Sequence, residues 1–391
     1  MISGSDDAAR PSSFELGSQR GLFGVPADVA YFNTANMSPL LHTVREAGDA
    51  GLARRAAPWT IAAADWFTDV ERLRAAVAHL LGAGEDAVAV VPATSYGLAV
   101  AAQNLTAREG DQVVVLAEEY PSNFYTWRRF CARTGAELVV VRREAGEGWT
   151  AAVLRYIGER TRVVAVPNVH WTNGAILDLE AIARSTRAAA AALVVDASQS
   201  LGALPLDIST VQPDFLVAVG YKWLLGPLGV SYLYVGEQYR EGQPLEENWI
   251  NRAGSDDFAA LVDYTDQYRA GARRFDVGAR TNFGLVPMAI AASEQLLSWQ
   301  ISEVAASLRA VTEEIGERAS RLGFTVPVGA EHGPHLLGIE VPRDVALRLS
   351  ATLTDRGVIA SVRGNSLRVA PHLNVTRHDV ERLIDGLAAA L

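Results

Sequence analysis

The sequence predicts an α/β fold in which a large domain, built on a mostly parallel sheet, is followed by a small α+β domain. Three observations carry that prediction. Short apolar runs recur along the chain: VVVLA at 113–117, LVVV at 138–141, VVAV at 163–166, LVVDA at 193–197, FLVAV at 215–219 and VSYLYV at 230–235. Amphipathic stretches of helical spacing separate them, and this alternation denotes βαβ units whose strands are covered on both faces. The third observation is size, because 391 residues, 49% of them hydrophobic, suffice for a large core with a smaller domain attached.

Taken in order, residues 1–30 read as an N-terminal arm that packs with the small domain or is partly disordered. The large domain spans 31–287. Within it, Val91 ends an apolar strand and Pro92-Ala93-Thr94-Ser95-Tyr96-Gly97 turns into the helix LAVAAQNL. Residues 252–274, with Gly254, Asp256, Asp257, Tyr264 and Tyr268, are expected to form loop and short helix near the active site. From Pro287 to about Arg321, Leu296, Leu297, Trp299, Ile301, Val304, Leu308, Val311 and Ile315 repeat as one long helix connecting the domains. The small domain, 288–391, then holds HLLGIEVP at 335–342, a helix over 345–357, VIASVRG at 358–364 and SLRVAPH at 366–372.

Composition narrows the function. A formal net charge of −10 is the wrong sign for nucleic acid or an anionic membrane, and leaves a small molecule as the expected partner. The lone cysteine, Cys131, has no intrachain disulfide partner, which fits a reducing compartment. The first twenty residues mix Asp6, Asp7, Arg10 and Arg20 with Ser, Gly and Pro, unlike a signal peptide, and no apolar run reaches the roughly 18 to 20 residues of a membrane span. A cytoplasmic protein is expected. The histidines show no H-E-x-x-H or Cys/His spacing, so no metal is expected. Neither G-x-G-x-x-G after the first strands nor G-x-x-x-x-G-K-[ST] occurs.

The chemistry concentrates in Val194-Val195-Asp196-Ala197-Ser198-Gln199 and in Val219-Gly220-Tyr221-Lys222-Trp223. An acid and a lysine each follow a buried-type strand, where open α/β sheets bind ligands. Singly, Asp196 reads as a helix N-cap and Lys222 as a solvated surface group. Together they suit pyridoxal phosphate: a carboxylate at the pyridine nitrogen keeps the ring protonated, and a lysine amine condenses with the aldehyde. Thr94 and Ser95, at a helix N-terminus, offer hydroxyls and free N–H groups as a phosphate cradle.

The chain resembles the class V aminotransferases of fold type I, a group that holds cysteine desulfurases, kynureninases, isopenicillin-N-epimerase-like proteins and carbon–sulfur lyases. The resemblance runs from Tyr31 to Leu391 through YFNTANMSP at 31–39, PATSYG at 92–97, EEYPSN at 118–123, NVHWTNGAILDL at 168–179, VVDASQSLGALPLD at 194–207, GYKWLLGP at 220–227, RFDVGARTN at 274–282 and LRVAPHLNVT at 367–376. It implies a seven-stranded-type sheet in the large domain. It also implies a homodimer with shared active sites, Thr281 lying in the loop by which one subunit reaches the other's phosphate. By the same resemblance Lys222 is the Schiff-base lysine, Asp196 the acid at the pyridine nitrogen and Gln199 the donor to the phenolic oxygen. Tyr120 stacks on the ring as a catalytic-site aromatic, and Arg368 pairs with the substrate carboxylate through a planar fork of donors. Asn36, in the first anchor, falls on the substrate side.

Three departures shape the functional expectation. Tyr221 stands where desulfurases have histidine, and Val219 replaces a phosphate-binding serine. At 168–174 the chain offers His170 and Trp171 where desulfurases have an asparagine, and one of these is expected to meet the cofactor ring or the substrate. Cys131 lies far upstream of the mobile loop on which a desulfurase carries its thiolate, so a persulfide-forming desulfurase is not expected. What remains is a pyridoxal-phosphate enzyme acting on an α-amino acid. A lyase performing α,β-elimination on a cysteine-derived or otherwise β-substituted substrate is preferred. An aminotransferase comes second, then an epimerase or kynureninase-like enzyme. A binding or regulatory protein that has lost catalysis is the alternative from another class, weighed down by the joint presence of Asp196, Gln199, Lys222 and Arg368.

Overall fold

The computed structural model describes residues 16–144, 146–327 and 332–391. Its strands are β1 (Ala30–Tyr31), β2 (Val88–Val91), β3 (Gln112–Leu116), β4 (Glu137–Val141), β5 (Thr161–Pro167), β6 (Ala192–Asp196), β7 (Phe215–Val219), β8 (Ser231–Val235), β9 (Leu337–Glu340), β10 (Val358–Ile359), β11 (Ser361–Arg363) and β12 (Ser366–Val369). Seven of them form the central sheet in the order β2-β8-β7-β6-β5-β3-β4. Only β8 opposes its neighbours; β7, β6, β5, β3 and β4 are mutually parallel.

The strand residues are apolar on both sides because both sides are covered. Val90, Val114, Val164, Val195 and Leu216 face one core, while the alternating Val91, Val113, Val163, Val194 and Phe215 face another. Each such side chain contributes roughly 1.5–3 kcal/mol through burial. The covering helices are capped locally: in Leu179–Ala188, the Asp178 carboxylate accepts the Ala181 N–H at 2.9 Å.

The small domain pairs β11 and β9 antiparallel on either side of β12, over a third core that includes Ile315, Ile339, Leu383 and Leu387. Three details differ from the sequence reading. β1 pairs with β10 and Phe32 joins the small-domain core, so the chain enters the large domain later than Tyr31. The segment 358–364 divides between two sheets as β10 and β11. The long connecting helix is two, Leu285–Trp299 and Ile301–Arg321, because Gln300 at φ +62° interrupts the i→i−4 ladder. Of the N-terminal arm, 1–15 lies outside the described residues. The rest is tied to the small domain where Arg20 meets the Asp379 carboxylate at 2.8 Å and donates to the Asn374 carbonyl.

Candidate active site

Because β2, β3, β5, β6 and β7 run in one direction, their C-terminal ends share one edge of the sheet. Each delivers a piece of a single cavity: Pro92 to Ser95 after β2, Glu119 and Tyr120 after β3, Pro167, Val169 and Trp171 from β5 onward, Asp196 from β6, and Tyr221 and Lys222 after β7. Two non-glycine residues with positive φ flank it, Glu118 at +57° and Leu225 at +56°. Strain of this kind costs about 1–3 kcal/mol per residue and is held only where the surroundings over-determine the backbone. Gly202, at φ +99°, lets the chain pass the Trp223 carbonyl so closely that a Cβ would sit 2.4 Å from its oxygen. The loop bearing Lys222 is thereby clamped against the turn after Asp196.

Lys222 is buried, its Nζ 5.3 Å from the centroid of the Tyr120 ring and 5.9 Å from that of Tyr221. Burial holds its amine down to about 8. The Asp196 charge opposes that shift and the Arg368 and Arg363 charges add to it. Burial pushes the Asp196 carboxyl up, against the stabilising Ser198 N–H at 2.9 Å and the Lys222 charge. The Gln199 amide is fixed by donating to the Ala35 carbonyl at 3.0 Å and accepting from the Trp223 indole N–H at 2.9 Å. Tyr120 meets Trp171 edge to face, and the Trp171 indole N–H donates to the Glu118 carbonyl at 2.7 Å. Thr94 and Ser95 open the helix Thr94–Asn104, whose N-terminus has no side-chain cap.

Of the residues singled out from the sequence, Thr94, Ser95, Tyr120, Trp171, Asp196, Gln199, Tyr221 and Lys222 line this cavity, while Asn36, His170, Thr281 and Arg368 do not. His170 is a correction. Beyond β5 the chain turns, Val169 and Trp171 line the cavity, and His170 between them stacks on Trp149 with ring centroids 5.1 Å apart. Asn36 is solvent-exposed. The Thr281 hydroxyl donates to the Trp66 carbonyl at 2.5 Å. Arg368 stands behind the Trp171 loop and donates to the Trp171 carbonyl at 3.0 Å. The segment 252–274 forms loop and short 3-10 turns as expected, yet contributes nothing to the lining.

Sequence reasoning passed over Glu119. It is buried in the lining, accepts the Tyr120 N–H at 2.6 Å, and its other oxygen has no hydrogen-bond partner. Burial first, then the Asp196 charge, pushes its carboxyl up to about 8. A stronger signal for the lysine was also available, since Lys222 is the only lysine among the 391 residues.

Buried histidines surround the site. Burial lowers His170 and His335 to about 4 and His372 to about 3, all from an ordinary 6.5. His335 contacts the Gln199 carbonyl through Nε2, and both ring nitrogens of His372 lack a partner. A depressed folded-state value means that the unfolded chain binds protons more tightly, so this stability is whole above pH 6.5 and is lost as pH falls through the folded values. Denaturant titrations at stepped pH on Glu119→Gln, which removes the opposite contribution of that raised carboxyl, should show stability declining from pH 6.5 towards 4, by on the order of 3 kcal/mol per histidine. A flat profile over that window would refute the buried neutral assignment.

The cavity fits pyridoxal phosphate on its own chemistry. It offers a buried amine, a carboxyl at a strand end, an uncapped helix N-terminus carrying two hydroxyls, and an unpartnered Ser198 hydroxyl. Among the described residues no helix is long and apolar enough to cross a membrane. The family model Aminotransferase class-V matches residues 56–380. An uncharacterized aminotransferase of Bacillus subtilis, YcbU, is 29% identical over 331 residues, covering 83% of this chain and 85% of that protein. Isopenicillin N epimerase of Streptomyces clavuligerus is 26% identical, covering 81% and 83%. The cystine C-S lyase C-DES, solved with its product cysteine persulfide, superposes with a TM-score of 0.83 at 20% identity over 93% of this chain and 98% of that one. Cysteine desulfurases and kynureninases are further relatives. The chain belongs to the class V aminotransferase family of pyridoxal-phosphate enzymes, with the fold type I architecture.

Proposed function

We propose that this enzyme is a lyase that cleaves β-substituted amino acids, carbon–sulfur bonds of cysteine-derived substrates in particular, by α,β-elimination. The observation that carries this reading is that the one lysine of the sequence stands buried in the cavity while its one cysteine, Cys131, is buried outside the lining and leaves the site no thiolate. Lys222 is poised to take a proton near neutral pH, whereas Cys131 is buried in the helix Pro121–Thr134 and pushed up to about 11. The structural likeness to a C-S lyase supports it at the level of fold.

In this reading Lys222 would hold the cofactor's aldehyde carbon, Asp196 its ring nitrogen, Gln199 its phenolic oxygen, and Thr94 and Ser95 its phosphate, and Tyr120 and Tyr221 would be its aromatic neighbours. When bound, pyridoxal phosphate supplies an electron sink for the substrate α-carbon. Once the substrate's own amine had taken its place at the aldehyde carbon, the freed Lys222 Nζ would accept the α-proton, and its low proton affinity would let it return that proton at neutral pH. Asp196 supplies a fixed negative charge at the ring nitrogen. Arg368 orients the α-carboxylate, and Trp171 and Asn36 bound the substrate side. The protein works as a homodimer, Thr281 reaching the phosphate of the neighbouring subunit. The net change would consume one water and break the Cα–H, Cβ–S and Cα–N bonds of an S-substituted cysteine, releasing a thiol, pyruvate and ammonium. Transamination is the second reading, in keeping with the likeness to the uncharacterized aminotransferase of Bacillus subtilis.

Incubating the cofactor-loaded enzyme with S-substituted cysteines and identifying products by mass spectrometry separates the two. Pyruvate with ammonium and free thiol is expected. A 2-oxo acid that keeps the whole carbon skeleton would replace elimination by transamination.

A further inference from the structure

Two buried side chains that are not part of the cavity lining converge on Gln199, which is. The Trp223 indole N–H donates to the Gln199 side-chain Oε1 at 2.9 Å, and His335 holds the Gln199 main-chain carbonyl through Nε2. The two rings also meet each other, edge to face, with centroids 4.3 Å apart. Trp223 follows Lys222 directly, and its carbonyl packs against Gly202 in the turn after Asp196. His335 comes from the small domain, just ahead of β9. Its segment is anchored where the Pro334 carbonyl accepts from the Thr312 hydroxyl at 2.9 Å and the Gly333 N–H donates to the Gly174 carbonyl at 2.8 Å.

A primary amide can be turned over without changing its shape, so its polarity is fixed by the chemistry of its partners. An indole N–H only donates, and a main-chain carbonyl only accepts. The atom facing Trp223 is therefore the oxygen, and the atom facing the Ala35 carbonyl, at 3.0 Å, is the nitrogen. Turning the amide over would set donor against donor and acceptor against acceptor in a buried place, losing both bonds. Of the two amide hydrogens, Ala35 takes one. The other has no protein acceptor among the described residues and is the donor left for a ligand. The same logic fixes His335: the carbonyl it touches only accepts, so Nε2 carries the ring's hydrogen, and the bare Nδ1 is buried without a partner.

We infer that Trp223 and His335 are positioning residues for the cofactor. Trp223 fixes the Gln199 amide so that an N–H, and not the amide oxygen, faces the phenolic oxygen of pyridoxal phosphate, and His335 locks the turn that carries Gln199 from the small domain. This rests on Gln199 as the partner of the phenolic oxygen, and not on elimination. A donor at that oxygen stabilises its negative charge, and so weakens the hold of the nitrogen joining Lys222 to the cofactor on its proton. The pH at which the bound cofactor changes protonation state is thus set by two residues that act only through a third. Because His335 belongs to the small domain, the setting is complete only while that domain is docked against the turn after Asp196.

The test reads the visible spectrum of the resting, pyridoxal-phosphate-loaded enzyme against pH, with no substrate present. Gln199→Leu calibrates loss of the donor and should raise the pH midpoint by about one unit, the scale of a hydrogen bond to a charged group. Trp223→Phe, which keeps a buried ring and removes the N–H, should raise it nearly as far. His335→Phe should raise it by a smaller step, and His335→Gln, which keeps a donor near the Nε2 position, should restore the wild-type midpoint. The ionisable groups of the lining, Glu119, Tyr120, Asp196, Tyr221 and Lys222, are the same in every variant, and melting temperatures establish which variants fold. A wild-type midpoint in Trp223→Phe, with Gln199→Leu displaced, would overturn the positioning role and leave Gln199 at its oxygen. A wild-type midpoint in Gln199→Leu would overturn both. Should Trp223→Phe not fold, the contrast between His335→Phe and His335→Gln decides alone, and equal midpoints in the two would overturn the role. No turnover is involved, so product analysis tests elimination separately.

Discussion

Lys222→Ala abolishes covalent attachment of pyridoxal phosphate and lowers turnover by about ten-thousand-fold while leaving the fold intact. The size follows from two roles lost together, since a positioned base alone contributes typically 10²–10⁴-fold. No rescue is available from a neighbouring amine, because every other basic side chain in the sequence is arginine or histidine. The side chain reaches the cavity from the end of β7, between the Tyr120 and Tyr221 rings, and an alanine leaves that space empty without removing a hydrogen bond from the core. Borohydride treatment of the reconstituted wild type followed by peptide mapping should place the cofactor on Lys222 alone. Uptake of a covalently fixed cofactor by Lys222→Ala would defeat the assignment. The same variant probes the proposed dimer: subunit exchange with Thr281→Ala should restore some intact sites, and no recovery after proven exchange would confine Thr281 to its own subunit.

Asp196→Ala should fall by about 10²–10³-fold in kcat/KM, the scale on which a preorganised electrostatic partner acts. Folding should suffer far less. Asp196 is buried at the end of β6 with its carboxyl pushed up by that burial, so its charge is costly to keep in the absence of a cationic partner. The variant should show a lowered pKa for the bound cofactor's ring nitrogen in spectral titration, together with an apo-protein melting temperature close to that of the wild type. Normal turnover by Asp196→Ala would reduce this residue to a cap for the Ser198 N–H.

Much of this was legible in the chain because strands buried on both faces write themselves as unbroken apolar runs. FLVAV became β7 and LVVD became most of β6, and their last residues fall where a parallel sheet gathers its ligands. The losses have physical reasons. In Val169-His170-Trp171 only the facing of an irregular segment decides which ring meets the cavity, and no propensity encodes that. Glu119 reads in sequence as half of an acidic pair, and its burial arises from strands brought together across more than a hundred residues. Gln300 breaks a helix without the glycine that normally announces positive φ.

A chain whose sole lysine is shut inside its reaction chamber has a peculiar surface chemistry. Acylating, carbamylating and aldehyde reagents find no ε-amine on the outside, only the terminal α-amine, so immobilisation or cross-linking by amine coupling has almost nothing to grip. Conversely, any ε-amine modification that does occur marks an open and vacant chamber. The yield of a single modified tryptic peptide therefore counts empty sites directly, with no background from the rest of the molecule.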